Sequence, residues 1–163
     1  GKTKTCQSLI KLLRDSEVDC SGFISPAVFD NDTKRSIDVL WIKSGERREL
    51  LTQVKETSQQ FIGRWEINSQ AFEWVEQKLN QFEYCQVFFC DEIGPLEIEQ
   101  GKGWVKALEI LREGNFGLGV VTFRPSLEGY FWHHFSDMVL FHLNSEGDAN
   151  DAIDRVISIL DIS

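Results

Sequence analysis

The chain has 163 residues, 42% hydrophobic and 12% aromatic. That is enough for one sizeable core, and no stretch is long or polar enough to read as a linker, so a single domain over 1–163 is expected. A formal net charge of -9 excludes a broadly basic face, and no binding to nucleic acid is expected. No run reaches the roughly 18 consecutive apolar residues of a membrane span, and no membrane association is expected.

In chain order, Cys6, Leu9, Ile10, Leu12 and Leu13 recur at helical spacing and predict a helix over 2–15. Strands are predicted at 22–29 and 36–43, joined by the turn-rich Asp30-Asn31-Asp32-Thr33. A further arm at 49–54 follows Ser44-Gly45-Glu46, which makes 22–54 an inserted β-hairpin region. Lys43, Arg47, Arg48 and Lys55 lie close together there, but interspersed acids make them a solvated hairpin face. Asn68 predicts the N-cap of a helix over 69–82 whose stripe is Phe72, Val75, Leu79 and Phe82. A buried strand follows at 85–91.

Trp104, Leu108 and Leu111 predict a helix over 103–113 that Gly114 terminates. Next come a nearly all-apolar strand at 116–123, a short aromatic helix at 127–135 and a strand at 137–143. Asp148 is expected to cap a last helix carrying Ala152, Ile153, Val156, Ile157 and Leu160. Alternating helices and strands predict an α/β fold, a mostly parallel sheet with helices on both faces. Trp41, Trp65, Trp74, Trp104 and Trp132 are expected in or at the edge of the core, Trp65 beside Arg64 being the best candidate exception. Cys6, Cys20, Cys85 and Cys90 show no C-x-x-C pair and no zinc spacing, so they read as reduced buried thiols of a cytoplasmic protein. His133-His134 point in different directions on any regular element, which argues against a shared metal.

The chemistry concentrates in Asp91-Glu92-Ile93-Gly94-Pro95-Leu96-Glu97. Val87-Phe88-Phe89-Cys90 ahead of it shows no alternation, the mark of a strand buried on both faces. Acids at the carboxyl end of such a strand face the crevice where ligands bind in open α/β sheets. The bland alternative is an acid pair that only caps the following loop. Gly1-Lys2-Thr3, entering a helix, matches the second half of the phosphate-binding loop G-x-x-x-x-G-K-[ST]. In such a loop main-chain N–H groups and a helix N-terminus surround a phosphate, and an acid on a later strand completes the site.

The run Phe89 to Glu97 resembles the Walker B signature of the small P-loop nucleoside triphosphatases known as the thermophile-type or cancer-related NTPase family. Gly22-Phe23 resembles that family's hairpin region, Gly63-Arg64-Trp65 its element before a helix, and Val120 to Ser126 its strand after Walker B. The resemblance implies a P-loop NTPase-like fold and Mg²⁺-dependent hydrolysis of nucleoside triphosphates, ATP and GTP among them, with low selectivity. It implies that Gly1, Lys2, Thr3 and Lys4 bind the phosphates, that Thr3 and Asp91 hold Mg²⁺, and that Glu92 acts on the attacking water. Thr122 would then lie at the γ-phosphate, and Arg124 or Arg64 would stabilise transition-state charge from within the chain; for either arginine the alternative is a surface ion pair. The family's first strand and the front of its phosphate loop precede such a Gly-Lys-Thr triplet. They are expected upstream of Gly1, as a central strand between 116–123 and 137–143.

Two other functions stay open. A nucleoside or nucleotide kinase would present an arginine-rich lid, and none is evident. A non-catalytic nucleotide switch or adaptor would use the hairpin insert to contact a protein partner.

Overall fold

A computed structural model describes residues 1–53 and 65–162. The elements are α1 (Lys2–Asp15), β1 (Cys20–Ile24), β2 (Ala27–Asp30), β3 (Thr33–Trp41), β4 (Arg47–Gln53), β5 (Trp65–Ile67) and α2 (Ser69–Asn80). There follow β6 (Cys85–Ile93), α3 (Pro95–Ile98), α4 (Val105–Glu113), β7 (Phe116–Phe123), a 3-10 turn (Pro125–Leu127), α5 (Glu128–His134) and α6 (Glu146–Leu160).

β6 is the hub of the sheet. It pairs in parallel with β1 on one side and with β7 on the other. From β1 the sheet continues antiparallel through β3, β4 and β5, in the order β5-β4-β3-β1-β6-β7, with β2 folded back on β3. The strand expected at 22–29 is therefore two strands, broken at Ser25-Pro26, because a proline has no N–H to give to a ladder.

The unbroken apolar run of β6 has a direct cause. Successive side chains on a strand alternate between faces. Phe88 and Cys90 enter a layer with Trp74, Val75 and Leu79 of α2, Ala107, Leu108 and Leu111 of α4, and Phe131 of α5. Val87 and Phe89 enter the opposite layer with Cys6, Leu9, Ile10 and Leu13 of α1, against which Ile153, Val156 and Ile157 of α6 pack. Burial also accounts for the thiols: all four are unpaired, and desolvation pushes Cys6 and Cys85 up to about 12 and Cys20 to about 11.

The helix ends follow their local chemistry. The Asn68 side chain accepts the N–H groups of Gln70 and Ala71, and Gly114 closes α4 in the left-handed conformation. At α6 the cap is Ser145, not Asp148. Ser145 Oγ accepts the Asp148 N–H at 3.2 Å, and Asp148 occupies the third helical position of a capping box. Its carboxylate accepts the N–H groups of Ser145 and Asn144, which hold its carboxyl below the usual range.

Two further expectations are corrected. Residues 137–143 form no strand. Among the described residues β7 pairs only with β6, so beyond it there is no ladder for 137–143 to join. They run instead along a groove of about 730 Å³ bounded by β7 and α6. Trp41, Trp74 and Trp104 are buried as expected, but Trp132 is 50% exposed, since α5 buries Phe131 and turns the next side chain outward. Trp65 lies on the edge strand β5 with the Lys34 ammonium 5.2 Å from its ring; Arg64 and Lys55 lie outside the described residues.

One glycine sets the spacing of the parallel strands. Gly22 has φ +96°, and a Cβ there would sit 2.0 Å from the Phe89 carbonyl oxygen. Gly22→Ala is expected to lower stability by at least about 2 kcal/mol, from left-handed strain plus a clash with main chain that cannot rotate away. Urea denaturation checks this, and an unchanged midpoint would contradict the β1–β6 register.

Candidate active site

The parallel strands β1, β6 and β7 end at one edge, and there the ladder between β6 and β7 slips. Cys90 pairs with Val121 and Ile93 with Phe123, so Asp91 and Glu92 together oppose the single residue Thr122. This is a β-bulge, and Glu92 takes the left-handed conformation within it, with φ +64°. A regular strand would send adjacent side chains to opposite faces. The bulge is what brings both acids of the pair to one edge.

Asp91 is 2% exposed. Its Oδ1 accepts the Thr122 hydroxyl at 2.5 Å, and its Oδ2 accepts the Thr3 hydroxyl at 2.8 Å and the Ser25 N–H at 3.0 Å. A carboxylate withdrawn from water needs such donors to offset its desolvation. The Thr122 oxygen in turn accepts the Glu92 N–H at 2.8 Å, so one hydroxyl links the buried acid to the main chain of its neighbour. The Glu92 side chain is half-exposed, with a carboxylate oxygen 3.5 Å from the Arg124 guanidinium. An exposed pair of this kind contributes little to stability, which leaves both groups able to exchange partners.

The other half of the arrangement is the start of α1. Gly1 is its N-cap residue, with no side-chain cap and no acid in the first turn, so orphan N–H groups and the positive end of the helix dipole lie beside the Thr3–Asp91 contact. Lys2 lines the groove along β7. Lys4 is exposed on α1. Of the site residues expected from the sequence, the fold brings Gly1, Lys2, Thr3, Asp91, Glu92, Thr122 and Arg124 to one edge. Arg64 is outside the described residues. The Thr3 hydroxyl and Asp91 carboxylate are hard oxygen donors in mutual contact, a set that suits a Mg²⁺-like cation completing its shell with water and phosphate oxygens.

One participant escaped sequence reasoning, and a second, within the Asp91–Glu97 run, was given no role. Ser25 donates its main-chain N–H to Asp91, and only its place at the carboxyl end of β1, just before Pro26, could have signalled it. Glu97 is buried beneath the loop that follows the acid pair. Its position three residues after Gly94, with Pro95 opening the helix, is a readable capping pattern.

The chain is similar to proteins already known. A family model described as NTPase matches residues 1–147. A nucleoside-triphosphatase THEP1 of Pyrobaculum calidifontis is 30% identical over 99 residues, 61% of this chain and 54% of that protein, so the chain spans about half the length of this curated relative. The solution structure of a human cancer-related nucleoside triphosphatase superposes with a TM-score of 0.70 at 19% identity, covering 98% of this chain and 91% of that one. The crystal structure of THEP1 from Aquifex aeolicus gives 0.66 at 17%, covering 98% and 94%. At these identities the two structures establish the fold alone.

Thr122→Val keeps the branched shape of the strand residue but deletes the hydroxyl between Asp91 and Glu92. It leaves a buried acceptor and a main-chain donor short of a partner, and the expected loss is about 1–3 kcal/mol in denaturant unfolding. A loss below about 0.5 kcal/mol, the level of a neutral surface change, would mean that the bridge contributes nothing.

Proposed function

The chain belongs to the NTPase family whose model covers residues 1–147, and on that premise we propose that the protein hydrolyses nucleoside triphosphates, ATP and GTP among them, to diphosphate and phosphate with Mg²⁺. The observation that carries this reading is the 2.8 Å hydrogen bond from Thr3 to Asp91, which joins residues 88 positions apart. It puts the Gly-Lys-Thr start of a helix and the Asp-Glu end of a buried strand at one point.

In this reading Gly1, Lys2, Thr3 and Lys4 bind the phosphates, through main-chain N–H groups at the start of α1 and the lysine charge. Thr3 and Asp91 hold Mg²⁺, which when bound offsets charge on the phosphate oxygens. Glu92 orients the attacking water and takes its proton. Its half-exposed carboxylate supports that role, as does its rigid link through Thr122 to the buried Asp91. Thr122 carries the state of the γ-phosphate into β7. Arg124 leaves Glu92 to stabilise charge in the transition state, and Arg64 is assigned as a second candidate for the same task.

The same reading makes 1–163 a single P-loop NTPase domain with a hairpin insert at 22–54 available to a protein partner. The four buried thiols support a cytoplasmic location, and no helix among the described residues is long and apolar enough to cross a membrane. The groove beside β7 is as long as that strand, largely apolar, and lined also by Lys2 and Thr5, so it would accommodate the strand and loop front that precede such a triplet in the family. Where such a strand occupies it, the β7 amides that face away from β6 should be strongly protected from hydrogen exchange, and rapid exchange would refute that placement.

Steady-state phosphate release tests the roles. Glu92→Gln should keep Mg-nucleotide binding while turnover falls roughly 10²–10⁴-fold, the range for losing a general base. Lys2→Ala should weaken binding and turnover together, whereas Arg124→Ala should lower kcat with little change in affinity. Parental turnover in Glu92→Gln would overturn the assignment of Glu92. Transfer of label to an added nucleoside would make the protein a kinase, and binding without phosphate release would make it a switch.

A further inference from the structure

Glu97 is an acid held 9% exposed, with no cation at ion-pair distance among the described residues. Both of its oxygens are committed to main chain. Oε2 accepts the Gly94 N–H at 3.0 Å, and Oε1 accepts the Trp104 N–H at 3.2 Å. These amides bracket the segment from 94 to 104, so one carboxylate closes it. The space is matched to that carboxylate: Gly103 has φ +73°, and a Cβ there would lie 2.1 Å from Oε1.

Trp104 makes the closure rigid. Its ring stacks on Phe72 with centroids 5.0 Å apart, meets Phe23 edge-on at 4.5 Å, and donates Nε1–H to the Phe72 carbonyl oxygen at 3.4 Å. Phe23 lies on β1 two residues before Ser25, whose N–H holds Asp91. Glu97 thus ties the chain just beyond the acid pair to the strand that holds the pair from the other side. Burying a carboxylate is costly, and a surface loop can satisfy its amides with water. What needs the investment is Glu92, a left-handed non-glycine residue two positions before Gly94. On its N-terminal side it is held by the bond to Thr122. On the other, only buried Ile93 stands between it and the clamped Gly94.

We propose that Glu97 is a positioning residue for hydrolysis: by fastening Gly94 to Trp104 it keeps Glu92 in its left-handed conformation with its carboxylate at the site. This rests on the assignment of Glu92 as the group that directs water. The test uses the full-length protein and Glu97→Gln, an isostere whose amide can accept only one of the two N–H groups and turns its own N–H toward the other. Hydrogen exchange without nucleotide should accelerate at Glu92 and Gly94 by about tenfold or more while Phe88 stays protected. Turnover should fall roughly 10–10²-fold with nucleotide affinity unchanged, as expected for a misplaced catalytic group. In a Glu92→Gln background, adding Glu97→Gln should cost nothing further, because both act through one carboxylate.

Gly103→Ala, which crowds the Glu97 carboxylate, should reproduce both effects and guards against a property peculiar to the glutamine. Unchanged exchange at Glu92 in both variants overturns the clamp whatever the activity. Faster exchange with parental turnover, or full additivity with Glu92→Gln, overturns its part in catalysis. Parental turnover in Glu92→Gln alone would instead overturn the assignment of Glu92, and the exchange measurement would still decide the clamp.

Discussion

The buried carboxylate of Asp91 is the constraint on which the rest of the site depends. Its three donors come from the first turn of α1, the break between β1 and β2, and the carboxyl end of β7. These segments are remote in sequence. An unpaired charge at 2% exposure would cost several kcal/mol, so the folded state exists only where all three segments arrive together. Satisfying that carboxylate and bringing the start of α1 to the ends of β6 and β7 are the same structural event.

The edge can be held this firmly because β6 is anchored on both faces. Phe88 and Cys90 are locked under α2 and α4, Val87 and Phe89 under α1. A strand so fixed tolerates a bulge at its end, where the left-handed backbone of Glu92 adds local strain of order 1–2 kcal/mol. Core packing carries that cost, and the result is that two adjacent acids occupy different environments. One is dry and satisfied by hydrogen bonds, and its neighbour is half-exposed and only loosely paired with Arg124.

The two halves of the sheet divide the labour. The parallel part, β1, β6 and β7, carries Asp91 and Thr122 and, just past the end of β1, the Ser25 N–H that Asp91 accepts. The antiparallel strands of the insert add area and cover: Val39, Trp41 and Leu50 join the core under α2. They hold β1 in place through its pairing with β3. Arg48 over the ring of Trp74 at 4.4 Å ties the insert to the same helix.

Much of this was legible in the chain itself. The helices 2–15, 69–82 and 103–113 and the strands near 85–91 and 116–123 could be read because their signals are local: apolar periodicity, the Asn68 cap, the Gly114 stop. The acid pair and the Gly-Lys-Thr triplet could be read for the same reason, since each is a short motif whose chemistry needs those residue types side by side. Features that depend on partners distant in sequence could not be read. The 137–143 segment has the composition of a strand but no ladder to join, and composition says nothing of an available edge. Ser25 matters through its main-chain N–H, which any residue other than proline would offer. Glu97 is legible as the end of the acid motif and as a capping partner of Gly94, but its second bond, to Trp104, is not. The sequence alone thus determined which side chains are available for the proposed chemistry, because chemistry resides in side-chain type. Only the tertiary structure decided which main-chain groups hold them and in what backbone conformation, because a hydrogen bond across 88 residues leaves no periodicity in the chain to be read.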